Sequence, residues 1–370
     1  LYFLFLGFIL IVGLHIRKPY FYWVNFLIVI KSSLGFLVIL LTISCSSKKN
    51  TTEKPVPGSE ISIAFGSCNK VELENLLWDD IKDTNPVLWI WGGDNIYADT
   101  ENVEEIRKMY AAQNQIKGYR KLKNNTQVIG TWDDHDYGLN DGGEEYVSKQ
   151  ESQQAFLDFM DVPVDHPRRT QEGVYHAYSY NGEMGSVKII VLDTRYFRSP
   201  LIPDTLTEKR IMPNEYGKGQ LLGESQWSWL TKELTSSKAD FNIIVSSIQF
   251  LSNEHGFECW GNFPHEVDRF KELLIESRAK GVFIISGDRH ISEFSKLDLP
   301  GLAYPLIDFT SSGLTHAYSD FKGESNPYRI GHVVSTESFG LIKLNFISKE
   351  VQFQIIEDQG KVPLEIRQQY

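Results

Sequence analysis

Val87-Leu88-Trp89-Ile90-Trp91-Gly92-Gly93-Asp94-Asn95-Ile96-Tyr97 runs from five apolar residues into a double-glycine turn, then to a carboxylate and a phenol. An unbroken apolar run of that length, stopped by glycine, predicts a strand buried on both faces. The same ending recurs. Trp132-Asp133-Asp134-His135-Asp136 follows the strand Gln127–Thr131, and Ser286-Gly287-Asp288-Arg289-His290 closes Val282–Ser286. A fourth strand, Ile61–Phe65, ends in Gly66-Ser67-Cys68-Asn69. Strands that finish in carboxylate, imidazole, phenol and thiol place metal ligands at the carboxyl edge of a sheet, where open α/β sheets keep their active sites. Gly-Asp alone is a common turn; concurring strand-ends predict a dinuclear metal site.

Outward from these turns, strands alternate with helices. Leu73–Ile81 has helical spacing, Val103–Ile116 reads as a charged amphipathic helix, and Ser152–Met160, Ser225–Leu234 and Val267–Arg278 read as further helices. Val174–Tyr180 and Val187–Leu192 form a hairpin pattern across Asn181-Gly182. Phe241–Ser246 is another apolar strand. From Pro305 onward the pattern is β-rich, with Leu341–Phe346 and Val351–Ile356 separated by Ser348-Lys349-Glu350. The fold class is α/β, with sheets covered by helices on the outside.

The 370 residues suffice for one large domain or two small ones. With 37 Lys and Arg against 48 Asp and Glu, the formal charge of −11 argues against a general nucleic-acid binder, because phosphate backbones demand clustered positive charge. A small phosphate ester needs only a metal pair and one or two arginines.

The first sixty or so residues are a different material. Leu1–Val12 and Phe21–Ile30 are apolar, and a further apolar run, Leu34–Ile43, follows Lys31-Ser32-Ser33. That run leads into Ser44-Cys45 and resembles a bacterial lipoprotein signal, in which the cysteine is lipidated. An uncleaved membrane anchor is the alternative, for which the run is short. Residues 1–45 are therefore assigned to export, with 1–29 read as an over-extended start or a second membrane helix. Residues 46–60, rich in Ser, Thr, Lys and Pro, read as a tether, and 61–370 as the folded domain. The Arg-Arg pair Arg168-Arg169 lies far inside this domain, so export is expected in the unfolded state, to the periplasmic face of a membrane or the cell envelope.

The segments Phe65-Gly66-Ser67-Cys68, Gly93-Asp94-Asn95-Ile96-Tyr97, Trp132-Asp133-Asp134-His135-Asp136, Leu192-Asp193-Thr194-Arg195, Leu222-Gly223-Glu224-Ser225-Gln226-Trp227 and Ser286-Gly287-Asp288-Arg289-His290 also carry a resemblance. In that order, from about Ile61 to Ile356, they resemble the alkaline phosphatase D (PhoD-like) branch of the calcineurin-like metallophosphoesterases. The resemblance implies a four-layer α/β/β/α sandwich of two mixed sheets flanked by helices. It also implies a centre of iron and calcium (Fe3+ and Ca2+) and hydrolysis of phosphomonoesters, sometimes diesters.

Carried over residue by residue, the resemblance makes Asp94 the carboxylate that bridges two cations; as an ordinary loop residue it would cap the next helix instead. Tyr97 becomes a phenolate ligand, which requires a strongly acidic ion such as Fe3+ because a free phenol ionises near pH ~10. A packed aromatic is the other reading. Cys68 stands where relatives outside this branch carry a histidine, and completes the ferric shell with Asp94, Tyr97 and His290. A Cys68–Cys259 disulfide, permitted in an exported protein, is its alternative. Asp134 and Asp288 join Asp94 around the second cation, whose oxygen ligands suit calcium.

His135 is assigned to the phosphoryl oxygens or to protonation of the leaving alkoxide. Arg195 is assigned to the phosphate, with a structural pair to Asp193 as its alternative. Asn140 and Gln249 are offered as further oxygen ligands, Gln249 where the superfamily supplies a histidine. Trp227, Trp229 and Trp260 read as packing.

The expected function is hydrolysis of phosphomonoesters by attack of a metal-bound hydroxide, with His135 and Arg195 neutralising charge on the transferring oxygens. A phosphodiesterase or phospholipase-like activity on the same centre is the nearest alternative, decided by the loops Pro200–Gly219 and Leu314–Arg329. A lipid-anchored binding protein without turnover is the alternative from another class. The expected partners are a small phosphate ester and, through the lipid anchor, a membrane; nucleic acid is not among them.

Overall fold

The computed structural model describes residues 58–370, so the export segment, Cys45 and the tether to residue 57 lie outside the described residues. The first half runs β1 (Glu60–Gly66), α1 (Trp78–Asp83), β2 (Leu88–Gly92), α2 (Val103–Gln115), α3 (Lys117–Lys123), β3 (Gln127–Thr131), α4 (Asp134–Tyr137) and α5 (Lys149–Phe159). The hairpin β4 (His176–Asn181) and β5 (Ser186–Val191) follows, then a short pair β6 (Ile202–Pro203) and β7 (Ile211–Met212). Next come α6 (Gly223–Thr235), β8 (Phe241–Val245), α7 (Pro264–Ser277) and β9 (Val282–Ser286). The strands β10 (Ser292–Leu297), β11 (Leu306–Ser311), β12 (Arg329–Val334), β13 (Ser338–Asn345), β14 (Glu350–Glu357) and β15 (Leu364–Gln369) close the fold.

Alternation along the central strands decides the layering, because successive side chains leave a strand on opposite faces. Ile61, Ile63 and Phe65 of β1, and Leu88 and Ile90 of β2, join one core with Ile243 and Val245 of β8 and Phe283 and Ile285 of β9. Their neighbours Ala64, Trp89 and Trp91 face the other way, into a second core with Trp78, Tyr110, Tyr119, Phe156 and Phe159 from α1, α2, α3 and α5. On the far side, Ile190, Ile244 and Ile284 pack against Leu230 and Leu234 of α6 and Phe270 and Leu274 of α7. Strands buried on both faces read as continuous apolar runs, and a helix layer on each outer face completes α/β/β/α.

The first sheet has six strands in the order β15-β14-β13-β1-β2-β3, with β1, β2 and β3 parallel and β13 antiparallel to β1. The second has seven, β12-β10-β11-β9-β8-β5-β4, with β5, β8, β9 and β11 parallel. Both sheets are mixed, as expected.

Several boundaries differ from the sequence reading for local reasons. The helix expected over Leu73–Ile81 starts at Trp78, because Asn75 Oδ1 accepts the Leu77 N–H and holds the preceding residues in a turn. The helix expected from Val267 starts at Pro264, whose fixed φ suits a first turn, and stops where Arg278 adopts a left-handed φ of 52°. In the β4–β5 hairpin, Asn181 still pairs with Ser186, so the turn is Gly182–Gly185 and not Asn181-Gly182.

Candidate metal centre

The turns beyond β1, β2, β3, β8 and β9 converge. The Asn69 N–H donates to the Asp94 carbonyl at 2.9 Å in the first sheet, and the Gly287 N–H to the Ser247 carbonyl at 3.0 Å in the second. Ser247 Oγ donates to Asp133 Oδ1 at 2.6 Å and the Gly313 N–H to the Ser67 carbonyl at 3.1 Å, which tie the strand-ends of the two sheets together. Glycine permits the closeness. A Cβ on Gly93 would lie 2.6 Å from Asp133 Cβ, and one on Gly287 would lie 2.6 Å from Ser67 Oγ and 2.7 Å from the Gly92 carbonyl oxygen. Cys68, Asp94, Asp288 and His290 all hold positive φ, at 59°, 51°, 68° and 54°. Such backbone costs about 1–3 kcal/mol per residue and persists where the surroundings enforce it, most often at functional sites.

The side chains meet in overlapping groups. Ligand atoms of Cys68, Asp94 and His290 lie within 4.8 Å of one another, as do those of Asp94, Asp133, Asp134 and Asp288, and those of Asp94, Asp134 and His135. Asp94 belongs to every group, the position of a bridging carboxylate. Cys68 Sγ lies 3.3 Å from Asp94 Oδ2 and 3.0 Å from Ser312 Oγ. The Tyr97 hydroxyl donates to Asp94 Oδ2 at 3.3 Å and stands 3.1 Å from His290 Nε2, which adds the phenol to the first group. Asp134 accepts the His135 N–H at 3.0 Å and the Asp141 N–H at 2.7 Å.

These residues fit metal ions on their own chemistry. Asp133 Oδ2 is buried without a hydrogen-bond partner, and several buried carboxylates crowd together, an arrangement that is costly unless cations join them. One group offers thiol, phenol, imidazole and carboxylate, suited to a transition-metal ion; the other offers oxygen alone, suited to a hard cation.

In the protein alone, burial and mutual repulsion act against the charged carboxylates. Burial, then the Cys68 and Asp134 charges, push Asp94 well above the usual carboxylate range. Burial brings Asp288 up to about 7 against the opposing pull of Arg289, helped by Asp134 and Cys68. Burial drives the Cys68 thiol up, but the His290 charge and hydrogen bonds from His290, Ser312 and Tyr97 outweigh it and bring it down to about 6. His290, drawn down by burial, rises to about 9 beside Cys68 and Asp288. A bound cation would counter the rise of the carboxylates and favour the deprotonated ligand set.

His135 sits at the margin of the groups. Its Nδ1 lies 2.7 Å from Asp99 Oδ1 and its ring stacks on Tyr97 with centroids 4.1 Å apart. Burial draws its pKa down, yet Asp99 and Asp134 raise it above the ordinary imidazole value. Asp99 was not singled out in the sequence; an acid two residues past Tyr97 carries no motif of its own.

Other expectations shift. Arg195 is fully buried, and its fork is taken up by Asp133, 2.6 Å from Nε, and Glu258, 2.5 Å from Nη1. Its side chain does not pair with Asp193, which instead accepts the Arg195 backbone N–H at 2.8 Å. Arg195 is thus a support for the carboxylates, not a group open to substrate. Asn140 is exposed and its amide nitrogen donates to Asp141 at 3.2 Å. Gln249 is buried with its amide nitrogen donating to Glu293 at 2.9 Å and Thr310 at 2.8 Å, while its Oε1 has no partner. Cys68 and Cys259 are both free, so the disulfide alternative falls away.

Asp133 is a grouped carboxylate that sequence reasoning passed over for its neighbour Asp134. A cavity of about 510 Å³ bordered by Arg278, Tyr304 and Tyr370 opens at the amino ends of β8 and β9, the edge opposite this centre.

Comparisons with known proteins come to the same place. A family model described as PhoD-like phosphatase matches residues 63–369. Alkaline phosphatase D of Bacillus subtilis (strain 168) is 24% identical over 319 residues, an alignment covering 74% of this chain and 52% of that protein. The chain thus spans about half the length of that curated relative. Among solved structures, PhoD superposes with a TM-score of 0.66 at 18% identity, covering 85% of this chain and 69% of the other. GAP50, the anchor in the inner membrane complex of Plasmodium, superposes with a TM-score of 0.56 at 14% identity, covering 84% and 89%. At these identities the superpositions speak for the fold.

Proposed function

The chain belongs to the PhoD-like phosphatase family, and from that premise we propose that it is a metal-dependent phosphoesterase acting on small phosphomonoesters. The observation that carries this reading is the sharing of Asp94 between a sulfur-, nitrogen- and oxygen-bearing group and an all-oxygen group. Cys68, Asp94, Tyr97 and His290 would hold ferric iron; Asp94, Asp133, Asp134 and Asp288 would hold the second ion, calcium by its ligand type. When bound, such a pair supplies Lewis-acid charge and an activated water at neutral pH.

The chain's own residues do the rest. Asp99 engages His135 Nδ1 and leaves Nε2 free to donate to a phosphoryl oxygen or to the departing alkoxide. The stack on Tyr97 fixes the plane of that ring. Arg195 holds Asp133 in place from behind, and Ser312 accompanies the Cys68 sulfur.

The test is turnover of a chromogenic phosphomonoester, such as 4-nitrophenyl phosphate, before and after chelation and after metal is restored. Chelator-sensitive, metal-restored turnover is expected. Turnover that survives complete metal removal, or none in fully metallated protein, overturns the reading.

Export as a lipoprotein remains part of the proposal, supported by the apolar run before Cys45. A Cys45→Ala variant is expected to lose its partition into detergent, and unchanged partition would refute lipid anchoring.

A further inference from the structure

With Arg195 enclosed by Asp133 and Glu258, the cation expected to meet the phosphate must come from elsewhere. Lys70 is placed for it. It leaves β1 two residues after Cys68, and its backbone N–H donates to Thr315 Oγ1 at 2.8 Å. Its Nζ stands 4.8 Å from the centroid of the Tyr97 ring, whose hydroxyl is 3.1 Å from His290 Nε2. Among the described residues this ammonium forms no ion pair within 4.0 Å. An unpaired cation beside an acidic centre is available for an anion that arrives with the substrate.

A second, independent feature lies on the same rim. His316 Nδ1 is 3.0 Å from Thr315 Oγ1, while its Nε2 is buried and has no hydrogen-bond partner. The His316 ring is 5.0 Å from Tyr97 and 4.5 Å from His290, centroid to centroid. If Nδ1 accepts from Thr315, Nε2 carries the proton and is a donor without an acceptor. A buried donor of that kind is costly until an acceptor arrives.

We propose that Lys70, with His316 beside it, receives a non-bridging phosphoryl oxygen and so selects dianionic monoesters over monoanionic diesters. The inference rests on the phosphoesterase reading above. A monoester brings three non-bridging oxygens and a second negative charge. A diester has one of those oxygens replaced by an alkoxy group, which accepts far more weakly and carries no charge.

The experiment compares wild type, Lys70→Gln and Lys70→Arg on 4-nitrophenyl phosphate and bis(4-nitrophenyl) phosphate at full metal loading. It adds binding of inorganic phosphate by calorimetry. In Lys70→Gln, monoester kcat/KM should fall roughly 10–100-fold, the worth of a charged hydrogen bond. The diester value should fall by a clearly smaller factor, phosphate affinity should drop with the monoester, and Lys70→Arg should recover most of the loss. Equal losses on both esters, or no loss on either, overturn the assignment. Wild-type protein that turns over neither ester defeats the phosphoesterase reading instead. Phosphate binding then decides Lys70 separately: about tenfold weakening in Lys70→Gln upholds the contact, and unchanged binding overturns it.

Discussion

Arg195 donates through Nε to Asp133 Oδ1 at 2.6 Å, and both side chains are fully buried. Glu258 closes the other end of the guanidinium and also takes Arg198, 2.9 Å from its Oε1. Removing Arg195 leaves buried Asp133 without a cation and Glu258 with Arg198 alone. Arg195→Gln should therefore cost about 3–5 kcal/mol of stability, read as a lower Tm, together with reduced metal retention. A variant of unchanged Tm whose defect is a raised KM would return Arg195 to the phosphate.

The Asp99–His135 contact makes a second prediction. Asp99→Asn should lower kcat/KM about tenfold at unchanged metal content, because the imidazole loses the partner that orients it and favours its charged form. His135→Gln should cost about 10²–10⁴-fold. If His135 protonates the departing alkoxide, that loss is larger for an alkyl phosphate than for 4-nitrophenyl phosphate, whose leaving group needs no proton. A loss independent of the leaving group would confine His135 to phosphoryl contact.

Tyr97 offers an optical test. Burial, then the Cys68 and Asp94 charges, push its phenol well above the ordinary range in the protein alone, so only a strongly acidic ion would ionise it. The iron-loaded protein should absorb visible light, and Tyr97→Phe should bleach it while iron content by elemental analysis stays measurable. Colour that survives the substitution removes Tyr97 from the shell.

Away from the centre, His255 should set part of the acid limit of stability. Burial, then the Arg289 charge, pull it from 6.5 down to about 3, while its Nδ1 accepts the Phe257 N–H at 3.1 Å. Because the folded value lies below the unfolded one, this contribution is complete above about pH 6.5 and is lost as pH falls toward 3. At pH 5 the loss is about 2 kcal/mol. His255→Gln keeps an acceptor but cannot titrate, so the difference in unfolding free energy between pH 7.5 and pH 5 should shrink by about that amount. An unchanged difference would place the titration elsewhere.

What could be read from the sequence was local. A buried parallel strand must be apolar on both faces, so Val87–Trp91 and Val282–Ser286 announced themselves, and the polar residues just past them had to lie at a strand-end. What escaped depends on distant partners or on side-chain direction. Arg195 is enclosed by Glu258, which is 63 residues away in the chain. Asp133 and Asp134 are adjacent carboxylates, and only the backbone shows that both reach the group: Asp133 is extended, with φ −134°, and Asp134 opens α4. Asp99 turns back to His135 from a left-handed φ of 44°, which no spacing rule foresees. His316 lies in a loop whose composition carried no pattern, and β10 to β12 were legible only as generally β-rich.

The most direct measurement is metal content per chain, by inductively coupled plasma mass spectrometry, in wild type and in Asp94→Asn. About two ions per chain, one of them iron, are expected in wild type. Both should be lost in Asp94→Asn, because Asp94 serves every ligand group. Wild-type protein that binds no metal, or an Asp94→Asn variant that keeps both ions, would contradict the shared-carboxylate centre.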